Sequence, residues 1–269
     1  MLRRTLVFAI STVLVGCVEE RRVDSSPVPK EPARPKVATT RQFAVPVLMY
    51  HRVDNLSEKE KRSPLLRDLT VSPSDFEEQV RFLVENGYSV LLASEVEQAV
   101  MEGKELPEKS VSITLDDGYK DNFDQAFPIL MKYRVPATIF LVTNNFGRSD
   151  RLSWGDVLQM RKEAGFGYGS HSVHHYDLAT LAQKELDYEL MESKRLIELK
   201  IQDRVSSIAY PAGSYNDFVK ERARAAGYLA GWKKGGGPVT PKDEMLMLPR
   251  VRVSGRTTLE DFKRKIRAT

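Results

Sequence analysis

Along most of this chain, short runs of apolar and β-branched residues alternate with segments in which apolar residues return every three or four positions. The first pattern predicts strands and the second predicts amphipathic helices. The run 43–53 (FAVPVLMYHRV) ends at Tyr50-His51, and a charged loop is expected to about Val71. Ser74 and Glu77 then read as a capping box for a helix with Phe76, Val80, Leu83 and Val84 on one face, stopped by Asn86-Gly87. Strands are predicted over 90–92, 111–117, 137–143, 166–170, 205–210, 228–232 and 248–253. Helices are predicted over 94–102, 122–134 with a kink at Pro128, 153–164, from a Thr180 cap to about 200, 214–226 and 259–268. The run 137–143 (ATIFLVT) is apolar throughout, as in strands covered on both faces. Strand and helix alternate about seven times without an internal repeat, which predicts an α/β fold with a mostly parallel sheet, and closing seven or eight such units gives a barrel. The active site of such a barrel gathers at the carboxyl ends of its strands. Asp116, His171 and Tyr210 all fall there.

The strand 111–117 carries the chemistry that organises the rest. It stops at two adjacent carboxylates, Asp116 and Asp117, followed by Gly118. Neighbouring side chains on a strand point to opposite faces, so both acids can face one place only if the chain turns, and Gly118 permits a turn. Two carboxylates so close resist joint ionisation, so the pair is a polar turn, a metal site or a site with one perturbed pKa. Downstream, Gly169-Ser170-His171-Ser172-Val173-His174-His175 supplies three of the four histidines just after a strand. His171 and His175 are spaced to grip one ion if the loop makes a helical turn, and Asp117 completes a two-histidine, one-carboxylate set. Zinc held by three protein ligands leaves a position for water and lowers its pKa to about 7.

Composition narrows the class. The chain has 269 residues, 41% hydrophobic, enough for one large α/β domain plus extensions. A single cysteine, Cys17, excludes an internal disulfide. Residues 1–16 read as a secretion signal: Arg3 and Arg4, the apolar run from Leu6 to Val15, then Gly16. The stretch Leu14-Val15-Gly16-Cys17 resembles the lipobox of bacterial lipoproteins, which implies cleavage before Cys17 and its lipidation. Val18 follows where Asp often marks inner-membrane retention, so an outer-membrane lipoprotein facing the periplasm is expected. Residues 17–42, rich in Pro, Ser and charge, read as a disordered tether, and 43–269 as the catalytic domain. Loss of Arg3 and Arg4 takes the formal charge from +4 to +2. With no dense basic run among aromatics, no nucleic-acid partner is expected, and the domain is read as a monomer.

The motifs ITLDDGY, HSVHH about fifty residues later and IAYPAGSYN, framed by VPVLMYHRV, PATIFLVT, LSWGDVLQM and LPRVRV, resemble the polysaccharide deacetylases, carbohydrate esterase family four. The resemblance runs from about 45 to 266. It implies a distorted (β/α) barrel of about seven parallel strands, a divalent metal, usually zinc, and removal of acetyl groups from N-acetylated sugars. Carried over by position, Asp117, His171 and His175 are the metal ligands and Asp116 is the general base. Ala212 is the candidate oxyanion donor, since Pro211 has no N–H. Three positions depart from the pattern: Leu115 stands for a usual Phe, Ala209 for an Arg that pairs with the base, and no histidine follows His175 to serve as the usual acid. Arg250 is a candidate replacement for that Arg or a substrate contact. His51 is the candidate acid. Tyr210 and Trp232 are candidate walls of a sugar groove, while Trp154 is read as core. The Tyr-His of the first strand and the Tyr-Pro-x-Gly motif resemble the branch acting on poly-N-acetylglucosamine more than the peptidoglycan branch, with chitin-like polymers a further option. The rival readings are a polysaccharide-binding lipoprotein of weak activity and an O-acetyl esterase of the same chemistry.

Overall fold

The computed structural model of the chain describes residues 43–163 and 165–267. The segments read from the sequence as a secretion signal (1–16) and a tether (17–42), with the expected lipidation at Cys17, lie outside the described residues. At the centre is β5 (Ser110–Asp116), buried at every position. It pairs in parallel with β1 (Val47–Tyr50) on one side. On the other it meets β4 (Ser89–Leu91) along its first half and β6 (Ala137–Leu141) along its second. The sheet continues through β7 (Phe166–Ser170), β8 (Ser207–Ala209) and β9 (Ala230–Trp232), parallel throughout. The strands β2 (Arg52–Val53) and β3 (Thr70–Val71) form a small separate ladder, and β10 (Val251–Arg252) pairs with β1.

The segment 248–253 closes the barrel. On one side the Leu248 N–H donates to Gly231 and the Leu248 carbonyl accepts from Lys233; on the other, the Val253 N–H donates to Met49. The expected distorted barrel is thus what the chain forms. Period-two alternation sorts the side chains. Val111, Ile113 and Leu115 join the apolar layer beneath the helices, whereas Ser112, Thr114 and Asp116 have the opposite parity. Val47, Phe140, Ala209, Ala230, Trp232 and Leu248 form a second cluster that fills the barrel.

The helices are α1 (Pro64–Leu69), α2 (Pro73–Glu85), α3 (Ala93–Glu102), α4 (Phe127–Tyr133), α5 (Trp154–Lys162), α6 (Gln183–Ile201), α7 (Asp217–Ala225) and α8 (Leu259–Arg267). Four details differ from the sequence reading. The expected loop before Val71 contains α1, capped by the Ser63 side chain with Pro64 at its first turn. The cap of α2 is Ser72, which accepts from Asp75 N–H at 3.1 Å, because Pro73 suits the first helical position. The turn before Pro128 is wound as a π-helix over 122–126. Thr180 ends a 3-10 turn, and α6 begins after it without a side-chain cap.

Candidate active site

Asp116 ends β5 and Asp117 follows in the left-handed region at φ 73. Asp tolerates this conformation better than most residues. The turn thus starts at Asp117, one residue before Gly118, and both carboxylates line the same cavity, of about 510 Å³. His51, His171, His175 and Tyr119 share it.

His171 directly follows β7 and is 2% exposed. Its Nδ1 lies 2.7 Å from the Ala209 carbonyl, an oxygen that can only accept, so Nδ1 carries the proton and Nε2 is free toward the cavity. His171 Nε2 and His175 Nε2 each lie 3.4 Å from the same Asp117 oxygen, Oδ1. Donor atoms of the three residues fall within 4.8 Å of one another. Among the described residues, Asp117 Oδ1 is buried without a hydrogen-bond partner. An orphaned carboxylate oxygen facing two imidazole nitrogens is the donor set a divalent transition metal requires, so the residues fit the ion that the sequence implied. Burial raises the Asp117 carboxyl, but His171, His51 and His175 outweigh it and hold it well below the usual carboxylate range.

The loop is not the helical turn that the histidine spacing suggested. Ser172 and His175 both adopt left-handed φ, 63 and 61. Ser172 Oγ accepts from His175 N–H at 3.0 Å, and Ser170 Oγ accepts from Ser172 N–H at 3.1 Å. Glu189 of α6, 2% exposed, accepts from the Val173 and His174 N–H groups at 2.8 Å each. Its other oxygen is 2.5 Å from His174 Nδ1. The sequence reading did not single out Glu189. Its signal was positional, an acid three residues after Leu186 and beside Leu190 in the buried stripe of α6.

Asp116 is 2% exposed and is gripped by Arg250, Nη1 to Oδ1 at 2.7 Å and Nη2 to Oδ2 at 2.8 Å. Burial raises its carboxyl; the Arg250 guanidinium and His171 reverse that and leave it below the usual value. Arg250 is therefore the partner of Asp116, with its fork occupied, and not a substrate contact. His51 lines the cavity with its Nδ1 buried and unpartnered, and burial lowers its pKa against the pull of Asp116 and Asp117. Ala212, in a left-handed turn at φ 56, lines the cavity beside Gly213.

Two expected sugar contacts are corrected. Trp232 is fully buried inside the barrel and donates its indole N–H to Glu97 at 2.9 Å, because its parity on β9 points it inward. Tyr210 lines the cavity but is 1% exposed and donates its hydroxyl to the Leu246 carbonyl at 2.9 Å. That path needs Gly231, where a Cβ would lie 2.3 Å from the Tyr210 hydroxyl. Trp154, half-buried, stacks on Phe146. Several wall residues were missed. Arg151 lies 4.0 Å over the Tyr119 ring, and Leu65 of α1, 64% exposed, stands at the rim.

A parallel barrel whose strand ends bring an Asp-His-His cluster beside an arginine-held aspartate has the architecture of a hydrolase. The family model described as polysaccharide deacetylase matches residues 103–231. A solved structure from Bacillus anthracis, assigned as a polysaccharide deacetylase, is 31% identical with a TM-score of 0.74, covering 84% of this chain and 69% of that one. A deacetylase of Streptococcus pyogenes, solved with acetate, is 27% identical with a TM-score of 0.79, covering 84% and 99%. The poly-beta-1,6-N-acetyl-D-glucosamine N-deacetylase of Staphylococcus aureus is 27% identical over 242 residues, 82% of each chain. The chain belongs to the polysaccharide deacetylase family.

Proposed function

We propose that this protein is a metal-dependent N-deacetylase of an N-acetylglucosamine polysaccharide, with poly-β-1,6-N-acetylglucosamine as its first substrate. The observation that carries the reading is the orphaned Asp117 Oδ1, 3.4 Å from the Nε2 atoms of both His171 and His175, beside an Asp116 held ionised by Arg250. The match to the Staphylococcus aureus N-deacetylase over most of both chains supports the choice of polymer. A divalent ion held by Asp117, His171 and His175, zinc being well suited to these nitrogen and oxygen donors, would supply a Lewis acid for the amide carbonyl and lower the pKa of the attacking water.

The chain's own residues do the rest. Each Asp116 oxygen has a second lone pair beyond the one Arg250 uses, so Asp116 can take the proton of the water and act as general base. The Ala212 N–H, at a turn on the cavity wall, is assigned to the developing oxyanion. His51, whose Nδ1 has no protein partner, is assigned to protonate the leaving amine. The amino-terminal sequence supports a lipidated Cys17 that places the enzyme outside the cytoplasm, on the outer membrane facing the periplasm.

The test is acetate release from poly-β-1,6-N-acetylglucosamine by the metal-loaded chain, after chelation, and by Asp116→Asn. Release that chelation stops and that Asp116→Asn lowers about 10²- to 10⁴-fold is the expected result. A metal-loaded protein that releases no acetate from this polymer, chitin oligomers or peptidoglycan would sink it.

A further inference from the structure

His174 is the histidine of the loop that does not face Asp117. Its ring is fixed by the buried Glu189, which also holds the main chain on either side of Val173. This clamp immobilises an imidazole that is 29% exposed and has no part in the metal cluster. Two tyrosine rings lie nearly parallel to it: Tyr176 at 5.0 Å between centroids and 15° between planes, and Tyr188 of α6 at 6.3 Å and 24°. Both remain more than half exposed, 53% and 54%, and Met191, one turn further along α6, is 56% exposed. Large apolar side chains cluster here without being covered, and the two tyrosines stack beside a ring that Glu189 holds. Rings stacked beside an anchored imidazole have less freedom to lose when a ligand settles on them than unsupported side chains do.

The position of this surface says what it faces. Tyr176 is the residue next to His175, which lines the catalytic cavity, and Tyr188 lies in the second turn of α6, the helix that follows this loop. A polymer with one residue in the cavity must lay its neighbours across the rim. The C–H faces of a pyranose match flat aromatic rings, and tyrosine joins such a face to a hydroxyl that stays in water. We propose that Tyr176 and Tyr188, joined through the clamped His174 ring, form a sugar-stacking subsite that binds a residue of the polysaccharide chain outside the catalytic cavity. The proposal rests on the polysaccharide reading above and deepens it: the enzyme selects chains over single sugars through this surface.

The test compares two-residue and six-residue β-1,6-linked N-acetylglucosamine oligomers as substrates of the metal-loaded full chain and of its Tyr176→Ala/Tyr188→Ala variant. The expected result is a KM for the six-residue oligomer raised roughly five- to tenfold. kcat and all constants for the two-residue oligomer stay within about twofold. Tyr176→Trp/Tyr188→Phe, which keeps both rings, restores the wild-type KM. An unchanged KM on the longer oligomer, or an equal loss on both lengths, overturns the subsite. If wild type releases no acetate from either oligomer, the deacetylase reading itself fails. Calorimetric binding of the six-residue oligomer then decides the subsite: weaker binding by the alanine variant supports it, and equal binding or no binding to wild type overturns it.

Discussion

Two sides of the barrel mouth hold charged side chains in different ways. On the β5–β7 side, Asp117 and the two histidines hang from strands paired over long registers, five residue pairs between β6 and β7 alone. The loop between them is tied by serines and by Glu189. On the closing side, β10 has only two residues, and the ring is completed by isolated bridges, Trp232 to Leu248 and Gly235 to Arg250. There the Arg250 guanidinium reinforces those few main-chain bonds, for it also reaches the Lys233 carbonyl and Thr114 Oγ1, both at 3.3 Å. One side fixes its ligands on long-paired strands and a loop pinned by its own serines and Glu189, none of which closes the ring. The other makes the partner of the base part of the closure, so a change in one disturbs both.

The largest break in that contrast is Arg250→Met. It leaves the buried Asp116 without its counter-charge, which costs about 3–5 kcal/mol, read from the midpoint of a urea denaturation. The pH dependence follows from the same pair. In wild type the folded Asp116 pKa lies below its unfolded value, so its contribution is present above the unfolded value and is lost as pH falls through the folded one. Without Arg250, burial is opposed only by the histidines and the carboxyl rises. The acid limb of the rate profile then moves to higher pH. An unmoved limb with full stability would show that Arg250 neither tunes the base nor joins the barrel.

On the other side the matching change is Glu189→Gln. The amide keeps one acceptor for the loop N–H groups but loses the charge beside His174. Partners that orient metal ligands are worth about 10- to 100-fold in metal affinity, and a loss in that range is expected in a competition titration against a coloured chelator. Unchanged affinity would mean that the Ser170 and Ser172 bonds suffice to hold His171 and His175.

What the sequence revealed divides along the same line. Asp116, Asp117, His171 and His175 were legible because each sits at or just beyond a strand end within one short motif, and local spacing carries their meaning. Arg250 was legible only as one option, since its partner is 134 residues away and nothing local says which group closes on it. Trp232 was expected at the end of a strand and offered as a sugar wall; its strand parity, which sends it inside the barrel, decides against that role. Glu189 was missed because a glutamate on a charged helix reads as solvated, and only its place in the apolar stripe marks it as buried. The left-handed Ser172 and His175 have no sequence signature of their own.

The finest test of the closing side is Glu97→Gln. Glu97 of α3, 4% exposed, accepts from Trp232 Nε1 at 2.9 Å and from Ser206 Oγ at 3.0 Å, and so ties α3 to the last strands. Burial raises its pKa, and its bonds to Ser207, Trp232 and Ser206 offset that only in part. For an acid whose folded pKa is raised, the stabilising contribution is complete below the unfolded value and is lost as pH climbs through the folded value. Wild type should therefore lose stability from Glu97 as pH rises above about 4.5, the ordinary range of a glutamate. Glutamine keeps an acceptor for the indole and cannot ionise, so the variant should escape that decline. A gain of about 1 kcal/mol near neutral pH is the scale of such a change, visible as a Tm difference that widens as the pH climbs above the ordinary glutamate range. Parallel Tm curves for the two proteins would mean that Glu97 titrates alike folded and unfolded. The pH dependence of the closing side would then have to come from other groups, the Asp116 held by Arg250 first among them.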